Sequence, residues 1–191
     1  MLKKSISFLI VLTFVTRCLA QQDSTVLPAM DKSPMDMSYF PADYPLLKIS
    51  GKVSDPPVIR IIYGRPQKNG RPIFGTLVEF GNVWRLGANE ATEIEFFRDV
   101  TTGGKKIKKG RYTMYAIPDQ RTWVLILNKD TDTWGAFRYD PKNDVARVSV
   151  PVISVPDPVE TLSIAFAKTG TGCNLLVAWD TTKVILPILF K

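Results

Sequence analysis

Short apolar runs recur along this chain, and most alternate with polar residues at a period of two. VIRIIYG at 58–64 is the first clear run, and TEIEFFRD at 92–99 sets Ile94 and Phe96 on one face against Glu93 and Glu95 on the other. GRYTMYAIP at 110–118 places Tyr112, Met114 and Ala116 on one side. TWVLILN at 122–128 is apolar on both faces, which suits a central strand covered from each side. VARVSVPV (145–152), TLSIAFAK (161–168), NLLVAWD (174–180) and KVILPILF (183–190) complete the series. Turn chemistry separates the runs at Asn69-Gly70, Gly103-Gly104, Lys109-Gly110, Pro118-Asp119, Asp140-Pro141 and Gly170-Thr171-Gly172. None keeps a 3.6-residue period over ten residues; PIFGTLVEFG (72–81) offers one helical turn, weakened by Gly75. The pattern predicts an all-β fold: a single antiparallel β-sandwich, jelly-roll or immunoglobulin-like, with partly barrel-like closure as a variant. It also predicts burial of Ile94, Phe96, Leu125, Leu127, Ile164, Phe166 and Trp179, and an edge position for the last strand, which contains Pro187.

The N-terminal segment breaks this pattern. Residues 1–20, MLKKSISFLIVLTFVTRCLA, carry Lys3 and Lys4, an apolar stretch from Ile6 to Val15 and small residues at Cys18 and Ala20. That is the form of a secretory signal peptide, with an apolar run too short to span a membrane; a retained N-terminal anchor and lipidation at Cys18 are the alternatives. An exported protein, periplasmic or extracellular, is expected. Residues 21–45 form a Pro-rich arm broken by Pro28, Pro34, Pro41 and Pro45, which forbids a helix and interrupts a sheet ladder. Within it, MSYFPADYPLL carries Tyr39, Phe40, Tyr44 and Leu46 and is expected to lie against the domain, which occupies 46–191.

Charge and composition narrow the chemistry. Removal of residues 1–20 takes away Lys3, Lys4 and Arg17 and no acid, so the net charge falls from +7 to +4, with 22 basic against 18 acidic residues. No run of five like charges occurs, and no nucleic-acid partner is expected. Nor is an integral membrane segment expected after removal of the signal. Cys173 is the single cysteine of residues 21–191, so no internal disulfide forms there. With no base at hand, it reads as a small packed residue rather than a nucleophile. The chain has no histidine, which excludes Ser–His and Cys–His catalysis and His-containing zinc sites. Acid–base work falls to Asp, Glu, Lys or Tyr. No cofactor and no metal are expected.

Six blocks then stand in order: YGRPQKNGRPIFG (63–75), VWRLGANEATEIEF (83–96), GKKIKKGRYTMYAIP (104–118), WVLILNKD (123–130), WGAFRYDPKNDVARV (134–148) and LLVAWDTTKVILPI (175–188). Together they resemble the exported bacterial family catalogued as domain of unknown function 2911, from about Ser33 to the C-terminus. Gly64, where the family often has serine, and Glu79, where proline is common, depart from it. The resemblance implies an exported all-β domain, sometimes attached to other modules, and brings no established activity.

The run VWRLGANEAT (83–92) gathers more polar function than packing needs, and it is expected as a loop at one end of the sheet stack. Arg85 offers a planar fork for a carboxylate, phosphate or sulfate, Asn89 a donor and an acceptor, Glu90 a carboxylate, and Trp84 a flat face for a sugar ring. Arg65 in YGRPQKNGR, with Lys68 and Arg71, adds cations close in sequence. The competing reading is a structural knot in which Arg85 pairs with Glu90, Asn89 closes a turn and Trp84 plugs the sandwich. YDPKND (139–144) offers oxygen donors for calcium at Asp140, Asn143 and Asp144, yet lacks the D-x-D-x-D-G spacing and reads as a plain turn. GKKIKKGRY (104–112) reads as a hairpin whose lysines discourage edge-to-edge aggregation, with a membrane or polyanion contact as the alternative. Trp123, Trp134 and Trp179 read as core.

Two classes of function follow. The first is an exported, non-enzymatic binding module that presents Trp84, Arg85, Asn89 and Glu90, aided by Arg65, to a small polar or anionic ligand such as a glycan fragment. The second is a glycosidase-type hydrolase using Glu90 with Asp140 or Asp144, which needs two carboxyls at a set separation across a cleft. A structural envelope protein is the third reading.

Overall fold

The alternating runs assemble into two antiparallel sheets, because each run is apolar on one face and must bury that face against another layer. The computed structural model describes Leu27 and residues 29–190, so the signal-peptide reading of residues 1–20 lies outside the described residues. In chain order the elements are β1 (Met35–Phe40), helix α1 (Tyr44–Ile49), β2 (Ile59–Gly64), β3 (Glu93–Phe96), β4 (Val100–Thr102), β5 (Lys105–Ile107), β6 (Gly110–Ile117), β7 (Thr122–Asn128), β8 (Asp144–Pro151), β9 (Ile153–Lys168) and β10 (Gly172–Leu189). One sheet runs β1-β2-β3-β6-β7-β8 and the other β5-β4-β10-β9. The all-β sandwich is therefore the architecture; the two sheets do not close into a barrel.

Between the sheets lies a continuous apolar core. Ile59, Ile61, Ile94, Phe96, Met114, Leu125 and Leu127 from the first sheet meet Ile164, Leu175, Val177, Trp179, Val184 and Ile188 from the second. The alternation thus places its core residues correctly, except Phe166, which is half-buried against the cluster with its ring edge-on to Phe40. β7 is the covered central strand its sequence suggests. Ile126 on its outer side and Tyr115, its partner on β6, form a second small cluster with Ala91, capped by Tyr139 and Ala136.

Four local expectations are corrected. Pro34 and Pro41 bracket a strand instead of interrupting a ladder: β1 pairs with β2 from Met35↔Gly64 to Phe40↔Ile59, so the sheet begins inside the Pro-rich arm. Tyr44–Ile49 is a short helix, with Pro45 in its first turn, where a missing N–H costs nothing. β10 fuses two of the predicted runs across a bend at Asp180, which has φ 53°, and it is an internal strand. Pro187 is tolerated there because it lies past the last pair with β9, Lys183↔Ile153, and its carbonyl accepts a bond from the Thr102 hydroxyl (2.8 Å). Finally, Phe74 and Val78 form an isolated bridge within 72–81, where no helical turn develops.

Candidate functional site

The run VWRLGANEAT is not an end loop. Trp84 and Ala116 exchange both backbone hydrogen bonds (2.7 and 2.9 Å), and Gly81 donates to Pro118 (2.9 Å). The run therefore extends the sheet along β6 beyond the start of β3. Strand alternation then decides the fate of its side chains: Trp84 faces the inter-sheet core and Arg85 the outer face. Trp84 stacks on Trp179 (6.0 Å between ring centroids, 18° between planes) and meets Trp123 and Phe74 edge-on. Its indole N–H donates to the Gly87 carbonyl at 3.2 Å. The ring offers no face to a sugar.

Past Arg85 the chain turns twice through left-handed backbone, at Leu86 (φ 54°) and Asn89 (φ 61°). Buried Thr92 closes the loop, its hydroxyl donating to Leu86 O (2.8 Å) and its N–H to Arg85 O (3.0 Å). Gly64 is needed beneath: a Cβ there would stand 2.3 Å from the Ala88 carbonyl oxygen. The loop crosses the end of β2 at backbone contact distance, which leaves no room for the serine expected by resemblance.

Asn89 and Glu90 act through their backbones. Gly135 N–H donates to Asn89 O (2.9 Å), Glu90 bridges Trp134, and Ala91 N–H donates to Thr133 O (2.9 Å). These bonds fold the β7–β8 connection back over the outer face. The Asn89 side chain reaches Asp31 (3.0 Å), and Glu90 is exposed. Glu90 lines a small cleft of about 130 Å³ with Glu93, Asp132 and Met35, to which neither Asp140 nor Asp144 contributes. Asp140 caps a short 3-10 turn at Pro141–Asn143, and Asp144 accepts from Tyr139 (2.6 Å) and Asn128 (2.8 Å). The structure does not gather the three carboxylates of the hydrolase reading into one cleft. YDPKND forms this short 3-10 turn, and Asn143 Nδ2 donates to Asp130 (2.8 Å).

Arg65, Lys68 and Arg71 are engaged elsewhere. Arg65 ties β9 to β1: Nη1 meets Asp36 (2.8 Å), Nε donates to Leu162 O (3.1 Å) and Nη2 to Ser163 Oγ (3.1 Å). Lys68 pairs with Asp180 at the β10 bend (2.7 Å), and Arg71 donates back to Gln67 O (2.6 Å) and Lys68 O (3.0 Å).

Arg85 is different. It is half-buried, makes no ion pair among the described residues, and its Nε is buried without a hydrogen-bond partner. Burial alone lowers its pKa, with no carboxylate to restore it. The pairing with Glu90 required by the structural-knot reading is absent. Arg85 instead lines a cleft of about 310 Å³ with Leu77, Val78, Glu79, Asn82, Val83, Trp84, Ala136 and Phe137. Glu79 accepts from Asn82 Nδ2 at 2.5 Å, so a carboxylate and an amide stand as a joined pair in the same wall. Phe137 is 85% exposed and Leu77 48%. Gly135 sets the Phe137 ring: at φ 66° it carries no Cβ, which would lie 2.6 Å from the ring.

Phe137, Leu77 and Asn82 do not stand out in the sequence, and Glu79 does so only as a departure from the family it resembles. The available signal was an aromatic residue in a turn-rich segment, Gly135 to Pro141, outside any alternating run. Trp134, read as core, is 62% exposed, because it sits on the same folded-back connection. Among the described residues no helix is long and apolar enough to cross a membrane. Comparison with known proteins adds one finding: the profile of the family described as protein of unknown function (DUF2911) matches residues 45–188. No curated protein and no solved structure matches the chain.

Proposed function

We propose that this chain, which belongs to the family of proteins of unknown function DUF2911, is an exported, non-enzymatic binding module for a small anionic ligand, a sugar acid being the best fit. One observation carries the reading: the half-buried guanidinium of Arg85, without a charge partner among the described residues, in a cleft between exposed Phe137 and Leu77. Removing an arginine from water without a counter-charge costs stability, and a bound carboxylate offsets that cost through two parallel N–H···O bonds. Phe137 supplies an exposed ring on which a pyranose can stack. Glu79 and Asn82 supply an acceptor and a donor for hydroxyls, which suits a sugar carrying one carboxylate better than a bare phosphate beside Glu79. Export rests on the form of residues 1–20.

A thermal-shift titration with glucuronate, galacturonate, glucose and inorganic phosphate tests the proposal, because a ligand of the native state raises the melting temperature by mass action. The uronates should raise it in a concentration-dependent way, glucose little. No shift with any uronate, or equal shifts with glucose, would overturn it.

A further inference from the structure

The second sheet carries a larger cleft on its outer side, of about 950 Å³, at the end where β4 and β5 join β10. Its lining includes Arg98, Asp99, Thr101, Lys106, Leu189 and Phe190. Three of these stand in one cross-strand row: Lys106 is paired with Thr101, and Thr101 with Leu189. Side chains opposite one another on adjacent strands share a face. The row therefore runs ammonium, hydroxyl, isobutyl across two strand spacings, about 10 Å.

The ammonium is under-paired. Asp99 accepts from Lys109 N–H with one oxygen (2.9 Å) and from Lys108 Nζ with the other (3.0 Å). Lys106 reaches only 3.6 Å from that second oxygen, and its side chain is 68% exposed. One carboxylate thus faces a hairpin bearing Lys105, Lys106, Lys108 and Lys109. At the other end of the row Leu189 is 45% exposed, beside Phe190. Cation and aliphatic surface share the cleft in a fixed order, and the volume falls in the range of small-molecule sites.

We propose that this cleft binds a medium-chain anionic amphiphile, with its head group on Lys106 and its tail along Leu189 and Phe190. The site is independent of the Arg85 cleft and would stand if that reading failed. Charge complementarity selects the anion, because the hairpin holds an excess of lysine over its single partnered carboxylate. The apolar end of the row selects a tail over a bare ion.

The test is calorimetric titration of the protein with octanoate below its micelle concentration, alongside acetate and octyltrimethylammonium. Saturable binding of octanoate is expected, with acetate and the cationic amphiphile at least about ten-fold weaker. Lys106→Glu should weaken octanoate about ten-fold. Leu189→Asn, which leaves the charges untouched, should also weaken it about ten-fold by removing apolar contact. Equal binding of both amphiphiles, parent-like octanoate affinity in either cleft variant, or binding seen only on anionic vesicles would each overturn the proposal.

Discussion

Trp84 and Arg85 are neighbours in the chain and face opposite sides of the same sheet, and the two sides are built differently. On the inner side Trp84 joins Trp123, Trp179 and Phe74, with Phe74 4.9 Å from Trp123 and 6.2 Å from Trp179 between ring centroids. Large rings at these distances fill the space between the sheets and leave no room for a ligand. On the outer side the apolar supply is smaller: Tyr115, Ile126 and Ala91 are covered by one folded-back connection through Ala136 and Tyr139. That cover stops short of Arg85. A sandwich needs only one face of each sheet for its core, so the outer face is where a cation can be held half-buried without disrupting the fold.

The largest expected effect lies on the inner side. Trp84→Ala should lower unfolding free energy by about 3–5 kcal/mol, read by urea denaturation. A loss under about 1 kcal/mol would show that Trp84 is not part of the packed core. Gly64→Ser tests the crossing of the loop over β2, and a Cβ so close to Ala88 O should cost about 1–3 kcal/mol through forced backbone shifts. Unchanged stability would mean that the loop stands farther from β2.

On the outer side the cover is polar as well as apolar. The Tyr139 hydroxyl donates to Asp144 (2.6 Å), and burial, then that bond, push its pKa up to about 12. The folded state therefore holds this proton more tightly than the unfolded chain, where tyrosine titrates near pH 10. Its contribution is complete below about pH 10 and is lost as pH rises through about 12. Tyr63, Tyr112 and Tyr115 shift upward for the same first reason, burial, and act in the same direction. Tyr139→Phe should cost roughly 1.5 kcal/mol at neutral pH and flatten the alkaline fall in stability. Parallel alkaline slopes for the variant and the parent would contradict this assignment.

Smallest in stability, and most telling for function, is Phe137→Ala. An 85% exposed ring should change stability by no more than about 0.5 kcal/mol while reducing any uronate-induced shift. A large loss of stability would recast Phe137 as part of the cover.

Periodicity made the inner face legible because side-chain alternation fixes which residues face the core, as for Ile94, Phe96, Leu125 and Leu127. It also gave β7 its covered character. The same alternation runs through residues 83–85 and decides between the two readings of Trp84, platform or plug: paired with Ala116, it points inward. The rest was hidden for other reasons. β1 lies between two prolines that mark its ends rather than break it, and Arg65 is drawn to Asp36 and β9 by contacts distant in sequence. Phe137 reaches the Arg85 cleft through bonds from Asn89 and Glu90 to a connection more than forty residues away, which no local pattern encodes.

The most direct test of the two-sided account is a paired measurement on Arg85→Lys: unfolding free energy, and affinity for glucuronate by calorimetry. Lysine keeps the charge and discards the planar fork. Stability within about 0.5 kcal/mol of the parent and glucuronate affinity at least about ten-fold weaker are expected. Lost stability with unchanged glucuronate affinity would make Arg85 part of the scaffold and contradict it.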